Sequence, residues 1–459
     1  MPNLQHFEVI FDGDVSIFKP GDYVRGFIRI VLGAQKNDVR GIQIKIQGKA
    51  NTHWTERHNK NTRHYSAKEI YFKERVICFG KDKRDPGASK VCMEAGEHHF
   101  PFTFQIPYVP LPYPFEGCSG WIRYKLKCKI DRPWKFNHTV ERLFSVIGQP
   151  IDLNLMQIAR YPLQGNDSKT VCLWCCASGP ILTTALTDKA AYVAGEPIFV
   201  SCNIENNSNR NIIDITVKLI QRVSFHSTVG KTKEVIKLLV QINGSGCGAG
   251  ETASMVWSPL LIPAVPPSGP LGCLIMKIEY EVEIVVHVSH TPFDTSVILP
   301  VIIGTVPLHQ PCSPQATNCV ITQQPSANDG VQSIDVAHNS NFGQSTPPPS
   351  YELAMDGLQE IPSKSGHDYT FGKLMYAPQY PTYSMPTNQP TWDPMNPPQG
   401  PGPVLPGFSH GLPPPGVLMH PSVDPPPPGG SGAPPPPGGS GAPPPPGGSG
   451  YPPQDKPKY

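Results

Sequence analysis

The 459-residue sequence lacks several features that define common protein classes. Its charges nearly balance, with 38 Lys and Arg against 36 Asp and Glu, which is too weakly basic to indicate nucleic-acid binding. No apolar run approaches 18 residues, so we predict no transmembrane helix. The first residues, MPNLQHFEVI, show no basic stretch followed by an apolar core, and we therefore expect no signal peptide and a cytoplasmic chain.

Motifs for catalysis and metal binding are also missing. The sequence contains no GxSxG, phosphate-binding loop or HExxH pattern, so we expect a non-enzymatic protein without a cofactor. The 12 cysteines are interpreted as free thiols, because no secretory signal accompanies them. Cys172, Cys175 and Cys176 form one CxxC pattern without a second pair, which favours buried or interface thiols over a metal site.

The composition changes abruptly near Pro307. Beyond it lie 36 of the 57 prolines, together with nine acidic and four basic residues and no sustained apolar pattern. Such a segment cannot bury enough apolar surface to offset the entropy lost on ordering, so we predict that residues 308–459 are disordered. The remaining body carries a net charge of +7 and the tail −5, consistent with the whole-chain value of +2.

The body alternates apolar and polar residues with the period of a β-strand. The pattern is clearest at Gly41–Gly48, Trp121–Ile130 and Tyr280–Val288, where every second side chain is apolar. Glycine and proline turns separate these runs. The sequence therefore predicts antiparallel sheets with one solvated face, and no amphipathic helix of three turns.

Three landmarks occur twice in the same order. Pro20-Gly21-Asp22 and Ala194-Gly195-Glu196 each precede a predicted strand, as do Gly96-Glu97 and Gly250-Glu251. Ile122–Ile130 and Met276–Ile284 then form the strand that follows. The order and the spacing indicate two copies of one sandwich, each of ordinary domain size.

Several runs resemble the arrestin-domain-containing, or α-arrestin, family. They are FKPGDYVRGFIRI, Trp54-Thr55-Glu56, the turn Phe115-Glu116-Gly117 leading to GWIRYKLKCKIDRPW, PIDLN, SGPI with AAYVAGEPIFVSCNIENNS, and VILPVIIGTVPL. The resemblance implies an all-β fold of two arrestin-like sandwiches. We expect these at residues 1–150 and 179–307, joined by a connection at 151–178.

The tail contains one PPxY motif, formed by Pro348, Pro349, Ser350 and Tyr351. WW domains bind such motifs in the polyproline II conformation, which costs little ordering entropy. A PPxY about forty residues beyond the body also matches the family, which implies recruitment of WW-domain ubiquitin ligases of the HECT type. Pro378-Gln379-Tyr380 and Pro381-Thr382-Tyr383 each lack the first proline of a second motif.

A stripe of four basic residues is predicted on one strand face: Arg123, Lys125, Lys127 and Lys129. Alternate residues of a strand lie about 6–7 Å apart, so the row could bind acidic cargo segments or anionic lipid headgroups. The alternative is a solvated sheet face. Because the inward side chains stay unchanged, we expect the protein to fold after charge reversal at Lys125 and Lys127.

The expected function is a trafficking adaptor at the plasma membrane and endosomes. It would link WW-domain HECT-type ligases to membrane receptors or transporters, with an anionic membrane surface as a further contact, and it would promote ubiquitination, endocytosis and endosomal sorting. Two alternatives remain: a structural sorting subunit like the arrestin-fold component of retromer, and a signalling arrestin that uncouples activated receptors. The PPPPGGSGA repeats from Pro425 onwards are interpreted as a spacer or as a ligand for proline-binding domains.

Overall fold

A computed structural model describes residues 4–58, 61–173, 176–269, 272–291, 294–309, 369–371 and 376–383. These residues contain no α-helix, and their three 3₁₀ helices are Asp12–Asp14, Leu153–Leu155 and Gln157–Arg160. None of the helices described is long or apolar enough to cross a membrane. The prediction of an all-β fold is therefore confirmed.

The first sandwich contains the strands β1 (Leu4–Phe11), β2 (Ile17–Phe18), β3 (Tyr23–Leu32), β4 (Lys36–Val39), β5 (Gly41–His58), β6 (Asn61–Gly80), β7 (Val91–Met93), β8 (Gly96–Gln105), β9 (Phe115–Gly117), β10 (Gly120–Asp131) and β11 (His138–Val146). One sheet has the order β1-β3-β8, and the other has the order β2-β11-β10-β5-β6, with β9 beside β10. Strands β4 and β7 pair separately. Between the two large sheets, Phe11 makes an edge-to-face contact with Phe144, at 6.1 Å between ring centroids.

The second sandwich contains the strands β12 (Gln164–Leu173), β13 (Cys176–Thr187), β14 (Ala191–Val193), β15 (Pro197–Ile198), β16 (Val200–Asn206), β17 (Ile212–His226), β18 (Thr232–Ser245), β19 (Thr252–Val256), β20 (Leu260–Leu261), β21 (Met276–Val288) and β22 (Thr295–Gly304). Its sheets have the orders β12-β13-β16-β19 and β14-β22-β21-β17-β18, and β15 pairs with β20. Strand β12 lies within the stretch expected to connect the two sandwiches.

The two sandwiches share one topology. The order β2-β11-β10-β5-β6 of the first corresponds to β14-β22-β21-β17-β18 of the second, and β2 and β14 each join the sheet in parallel. The repeated glycine turns are also equivalent. Gly21 and Gly195 have φ of 94° and 89°, and their amides donate to Ile106 and Ile262 at 3.0 and 2.9 Å. The structure thus contains the internal duplication that the sequence indicates.

One buried tyrosine stabilises each sandwich in the same way. The hydroxyl of Tyr124 donates to the Pro112 carbonyl at 2.6 Å, and that of Tyr280 donates to the Pro266 carbonyl at 2.6 Å. Both tyrosines lie on the central strand of their larger sheet and are at most 2% exposed. Burial raises the pKa of Tyr124, which keeps its hydroxyl protonated as a donor.

The two sandwiches belong to one compact unit and contact each other directly. Thr52 Oγ1 donates to the His226 carbonyl at 2.8 Å, and the Thr228 hydroxyl donates to the Ser66 carbonyl at 2.6 Å. At the same boundary a Cβ on Gly120 would lie 2.8 Å from the ring of Phe225. Close packing at Gly120 therefore adds to these hydrogen bonds in holding the two sandwiches together.

Two short parts of the predicted tail are described, and both lie on the body. Tyr369–Phe371 forms β23, which pairs in parallel with β11 at His138–Val140. Residues 376–383 contact both sandwiches through side chains and backbone. The sequence, which offers no periodic pattern here, did not predict either contact.

Candidate functional site

The basic stripe lies on β10, between β5 and β11. Its four residues alternate with buried apolar side chains, so they occupy the outer face of the larger sheet of the first sandwich. Along this strand Lys125 is paired in register with Leu143 of β11, and Lys127 with Glu141. The placement agrees with the strand pattern in the sequence, while a role in binding anions stays a prediction.

Each residue of the stripe is paired with a carboxylate. Arg123 forms a two-pronged ion pair with Glu116 of the neighbouring β9, at 2.6 and 2.7 Å. Lys125 and Lys127 share Glu141, at 2.7 and 3.1 Å. The fourth pair joins Lys129 to Asp131 at 3.6 Å.

The expectation that charge reversal at Lys125 and Lys127 spares folding is therefore not supported. The Glu141 side chain is only 8% exposed, and burial by itself would raise its pKa. The two lysines outweigh burial, so the pKa of Glu141 is lowered and the carboxylate stays charged. Replacing both lysines with glutamate would leave this buried carboxylate among two further negative charges.

Two further lysines lie on the neighbouring strands β5 and β6. Lys45 of β5 is directly opposite Lys127 of β10, and Lys73 of β6 is opposite Gln47 of β5. Among the described residues, no carboxylate lies within ion-pair distance of Lys45 or Lys73. We call the five neighbouring lysines on these strands the basic face: Lys45, Lys49, Lys73, Lys125 and Lys127.

Lys45 lies at the centre of the basic face. Its pKa is lowered to about 8, first by burial and then by the charges of the other four lysines. Like charges on adjacent strands destabilise a sheet, and an anion bound over Lys45 would relieve that repulsion. Sequence reasoning missed Lys45 because the run GIQIKIQG contains a single lysine, and only the strand order brings the five lysines together.

An exposed aromatic tip follows the stripe, in the turn between β10 and β11. Trp134 is 98% exposed and Phe136 54% exposed. Trp134 has a φ of 65°, a conformation that a bulky side chain rarely adopts and that often accompanies functional sites. The signal in the sequence is the pair of aromatic residues within the polar turn DRPWKFN.

Positive charge surrounds the base of this tip. Asp38 is the shared partner of Arg132 at 2.7 Å, Lys135 at 2.9 Å and Lys36 at 3.3 Å. Burial opposes ionisation of Asp38, but its hydrogen bonds to Lys135 and Arg132 prevail and lower the pKa. One carboxylate among three cations leaves a surplus of positive charge beside Trp134.

The PPxY residues Pro348, Pro349, Ser350 and Tyr351 lie outside the described residues. The tail motifs Pro378-Gln379-Tyr380 and Pro381-Thr382-Tyr383, which lack a first proline, are within the described residues. Pro378 is buried, and Tyr380 and Tyr383 donate hydrogen bonds to the body. Cys172 and Cys176 lie in β12 and β13, while Cys175 is outside the described range. Among the residues that are described, no cluster of His, Cys, Asp or Glu suits a metal ion.

Comparison with known proteins gives a consistent result for both halves of the body. Residues 7–154 match the family model for the arrestin (or S-antigen) N-terminal domain, and residues 177–308 match the C-terminal domain. Arrestin domain-containing protein 17 of Caenorhabditis elegans is 25% identical over 443 residues, covering 84% of this chain and all of the relative.

Two human proteins are also similar. Arrestin domain-containing protein 4 is 27% identical over 305 residues, which cover 65% of this chain and 71% of the relative. Arrestin domain-containing protein 1 is 27% identical over 318 residues, which cover 69% of this chain and 68% of the relative. With the duplicated sandwich topology, these matches establish that the chain belongs to the arrestin-domain-containing, or α-arrestin, family.

Proposed function

We propose that this chain is a non-enzymatic adaptor that brings WW-domain ubiquitin ligases of the HECT type to membrane receptors or transporters. The observation that carries the proposal is the combination of an arrestin body with the tail motif Pro348-Pro349-Ser350-Tyr351. In a PPxY ligand one proline ring packs between WW aromatics and the tyrosine fills a second groove. The expected result is ubiquitination of the cargo, followed by endocytosis and endosomal sorting.

Capture of the full-length chain on immobilised WW domains tests this role. One such contact is on the order of −8 kcal/mol, a micromolar affinity, and Tyr351→Ala should nearly abolish it by emptying one groove. Pro347→Ala, just before the motif, is the matched control and should bind normally. Capture of Pro349→Ala/Tyr351→Ala at wild-type strength would refute this proposal and favour a sorting subunit or a signalling arrestin.

We further propose that the body contacts an anionic membrane surface. The basic face is spread across three adjacent strands, so its charges form an area and not a groove for one extended peptide. The aromatic tip at Trp134 and Phe136 follows the stripe, and exposed aromatic residues beside cations are typical of the membrane interface. This arrangement supports a peripheral location at the plasma membrane and endosomes.

Flotation on vesicles that contain anionic phospholipid tests the membrane contact. Trp134→Ala/Phe136→Ala should reduce flotation, whereas Tyr108→Ala removes an equally exposed aromatic residue from another loop and should not. Binding of an acidic cargo peptide is measured in parallel. Loss of peptide binding without loss of flotation would assign the surface to cargo instead of lipid.

A further inference from the structure

The tail segment 376–383 has the geometry of a docked ligand. Its first contacts are with the first sandwich, at the end of β11. The Tyr376 hydroxyl donates to the Phe144 carbonyl at 3.3 Å and lies 3.1 Å from Ser145 Oγ, which accepts from the Gln379 amide at 3.2 Å. Burial raises the pKa of Tyr376, so this hydroxyl is protonated at neutral pH.

The middle of the segment packs on the first sandwich and on the main apolar core, to which both sandwiches contribute. The hydroxyl of Tyr380 donates to the Pro114 carbonyl at 2.7 Å, and its ring packs against the main apolar core. Pro378, two residues earlier, is buried. This part of the tail therefore gains apolar burial in addition to hydrogen bonds.

The end of the segment binds the second sandwich. The Tyr383 amide donates to the Ala194 carbonyl at 2.9 Å, and its hydroxyl donates to the Thr305 carbonyl. Gly195 makes room for it, because a Cβ at that position would lie 2.1 Å from the Tyr383 carbonyl oxygen. The segment thus contacts both sandwiches within eight residues.

All three tyrosine hydroxyls serve as donors to backbone carbonyls. A phosphate ester has no hydrogen on the former phenolic oxygen and carries about −1.5 to −2 charges at pH 7. It would place acceptor oxygens against acceptor carbonyls, as at Pro114 and Thr305. Phosphorylation is therefore incompatible with the docked position of these side chains.

We propose that residues 376–383 form a clasp that ties the tail to both sandwiches, and that phosphorylation of Tyr380 or Tyr383 releases it. In that reaction the phenolic O–H bond and the bond from the γ-phosphorus of ATP to its bridging oxygen break. A new O–P bond forms, and ADP and a proton leave. A kinase can reach the hydroxyl only in the open state, so the ester traps that state.

The clasp and β23 together limit how far the PPxY motif reaches, a consequence that rests on the proposed WW-binding role. A flexible chain with as many residues as lie between His309 and Tyr351 has a root-mean-square end-to-end distance of roughly 35–40 Å. Because β23 pairs with β11, the chain is also held at Tyr369. A flexible chain with as many residues as lie between Tyr351 and Tyr369 has a root-mean-square end-to-end distance of roughly 25 Å. Release of the clasp together with β23 would therefore enlarge the volume in which a bound ligase searches for cargo.

Hydrogen exchange on the full-length protein tests the clasp directly. The amides of Gln379 and Tyr383 are expected to be protected in the unmodified chain. Site-specific phosphotyrosine at position 380 should lower their protection about tenfold or more, and Tyr380→Ala/Tyr383→Ala should do the same. Tyr380→Phe, which loses only the hydroxyl, should give a smaller loss.

Thr382→Ala is the matched control, because this side chain is exposed within the same segment and its protection should not change. Unprotected amides in the unmodified chain would overturn the clasp, and protection unchanged by phosphotyrosine would overturn its release. Capture of the same variants on WW domains through Tyr351 is a separate readout. A failure there would count against the proposed function and not against the clasp.

Discussion

The basic face can be tested without disturbing the ion pairs of the stripe, by the double substitution Lys45→Gln/Lys73→Gln. Neither lysine has a carboxylate partner among the described residues, and the pKa of Lys45 is lowered by burial and by its like-charged neighbours. Removing these two charges relieves repulsion. We therefore expect the free energy of unfolding to stay the same or to rise.

Membrane binding should respond much more strongly. A lysine near an anionic bilayer surface contributes about 1 kcal/mol, so loss of two should weaken vesicle binding by roughly thirtyfold at low salt. The effect should shrink at physiological ionic strength, where screening acts within about 8–10 Å. The control Lys231→Gln/Lys233→Gln makes the same charge change on the second sandwich.

The pH dependence of flotation gives a second signature. Lys45 is charged below its pKa of about 8, so binding to anionic vesicles should weaken as the pH rises through and above that value. A bound anion raises the pKa of Lys45, so the loss of vesicle binding is shifted to a higher pH in the complex. This step should be absent from Lys45→Gln.

Reversal of the paired lysines is expected to fail for a different reason. Lys125→Glu/Lys127→Glu strips Glu141 of both partners, and loss of a partner from a buried pair costs about 3–5 kcal/mol. That is a large part of a typical stability of 5–15 kcal/mol. Thermal unfolding and flotation of both double variants decide the matter: a stable reversal variant, or Lys45→Gln/Lys73→Gln with undiminished flotation, would refute the reasoning.

Two further predictions concern stability. Tyr124→Phe leaves the Pro112 carbonyl without its buried donor and should lower the free energy of unfolding, measured by chemical denaturation, by about 1–3 kcal/mol. Tyr280→Phe should lower it more, because this change also removes the acceptor of the Gln221 side chain at 2.9 Å. Burial raises the pKa of Asp188 to about 6, so the native state binds this proton more tightly than the unfolded chain. The free energy of unfolding should therefore fall by at most about 3 kcal/mol as the pH rises from about 4 to about 6 and Asp188 ionises. Asp188→Asn should remove this pH dependence, and an unchanged pH dependence in that variant would contradict the assignment.

The sequence was sufficient for the strands and their duplication, because alternation reveals which side chains share a face. The run Trp121–Ile130 falls within β10, and the two glycine turns at Gly21 and Gly195 make the same hydrogen bonds. Alternation does not reveal which strands are neighbours. The pairing of Lys125 with Glu141, and the position of Lys45 opposite Lys127, depend on a strand order that only the structure supplies.

The clasp could not have been predicted for a related reason. Residues 376–383 have no strand or helix period and contain two prolines, so the composition favours a tail without fixed structure. Their binding depends on backbone carbonyls of both sandwiches, such as those of Pro114 and Thr305, which become neighbours only after folding.

The central claim is that one chain links a WW domain to a membrane, and a bridging flotation assay measures this directly. A purified WW domain is mixed with anionic vesicles, with or without the full-length protein, and its recovery in the floating fraction is determined. We expect the WW domain to float only when the protein is present, not with Tyr351→Ala and much less with Lys45→Gln/Lys73→Gln, while Pro347→Ala behaves as wild type. Flotation of the WW domain with the Tyr351→Ala protein, or its failure to float with the wild-type protein, would contradict the account.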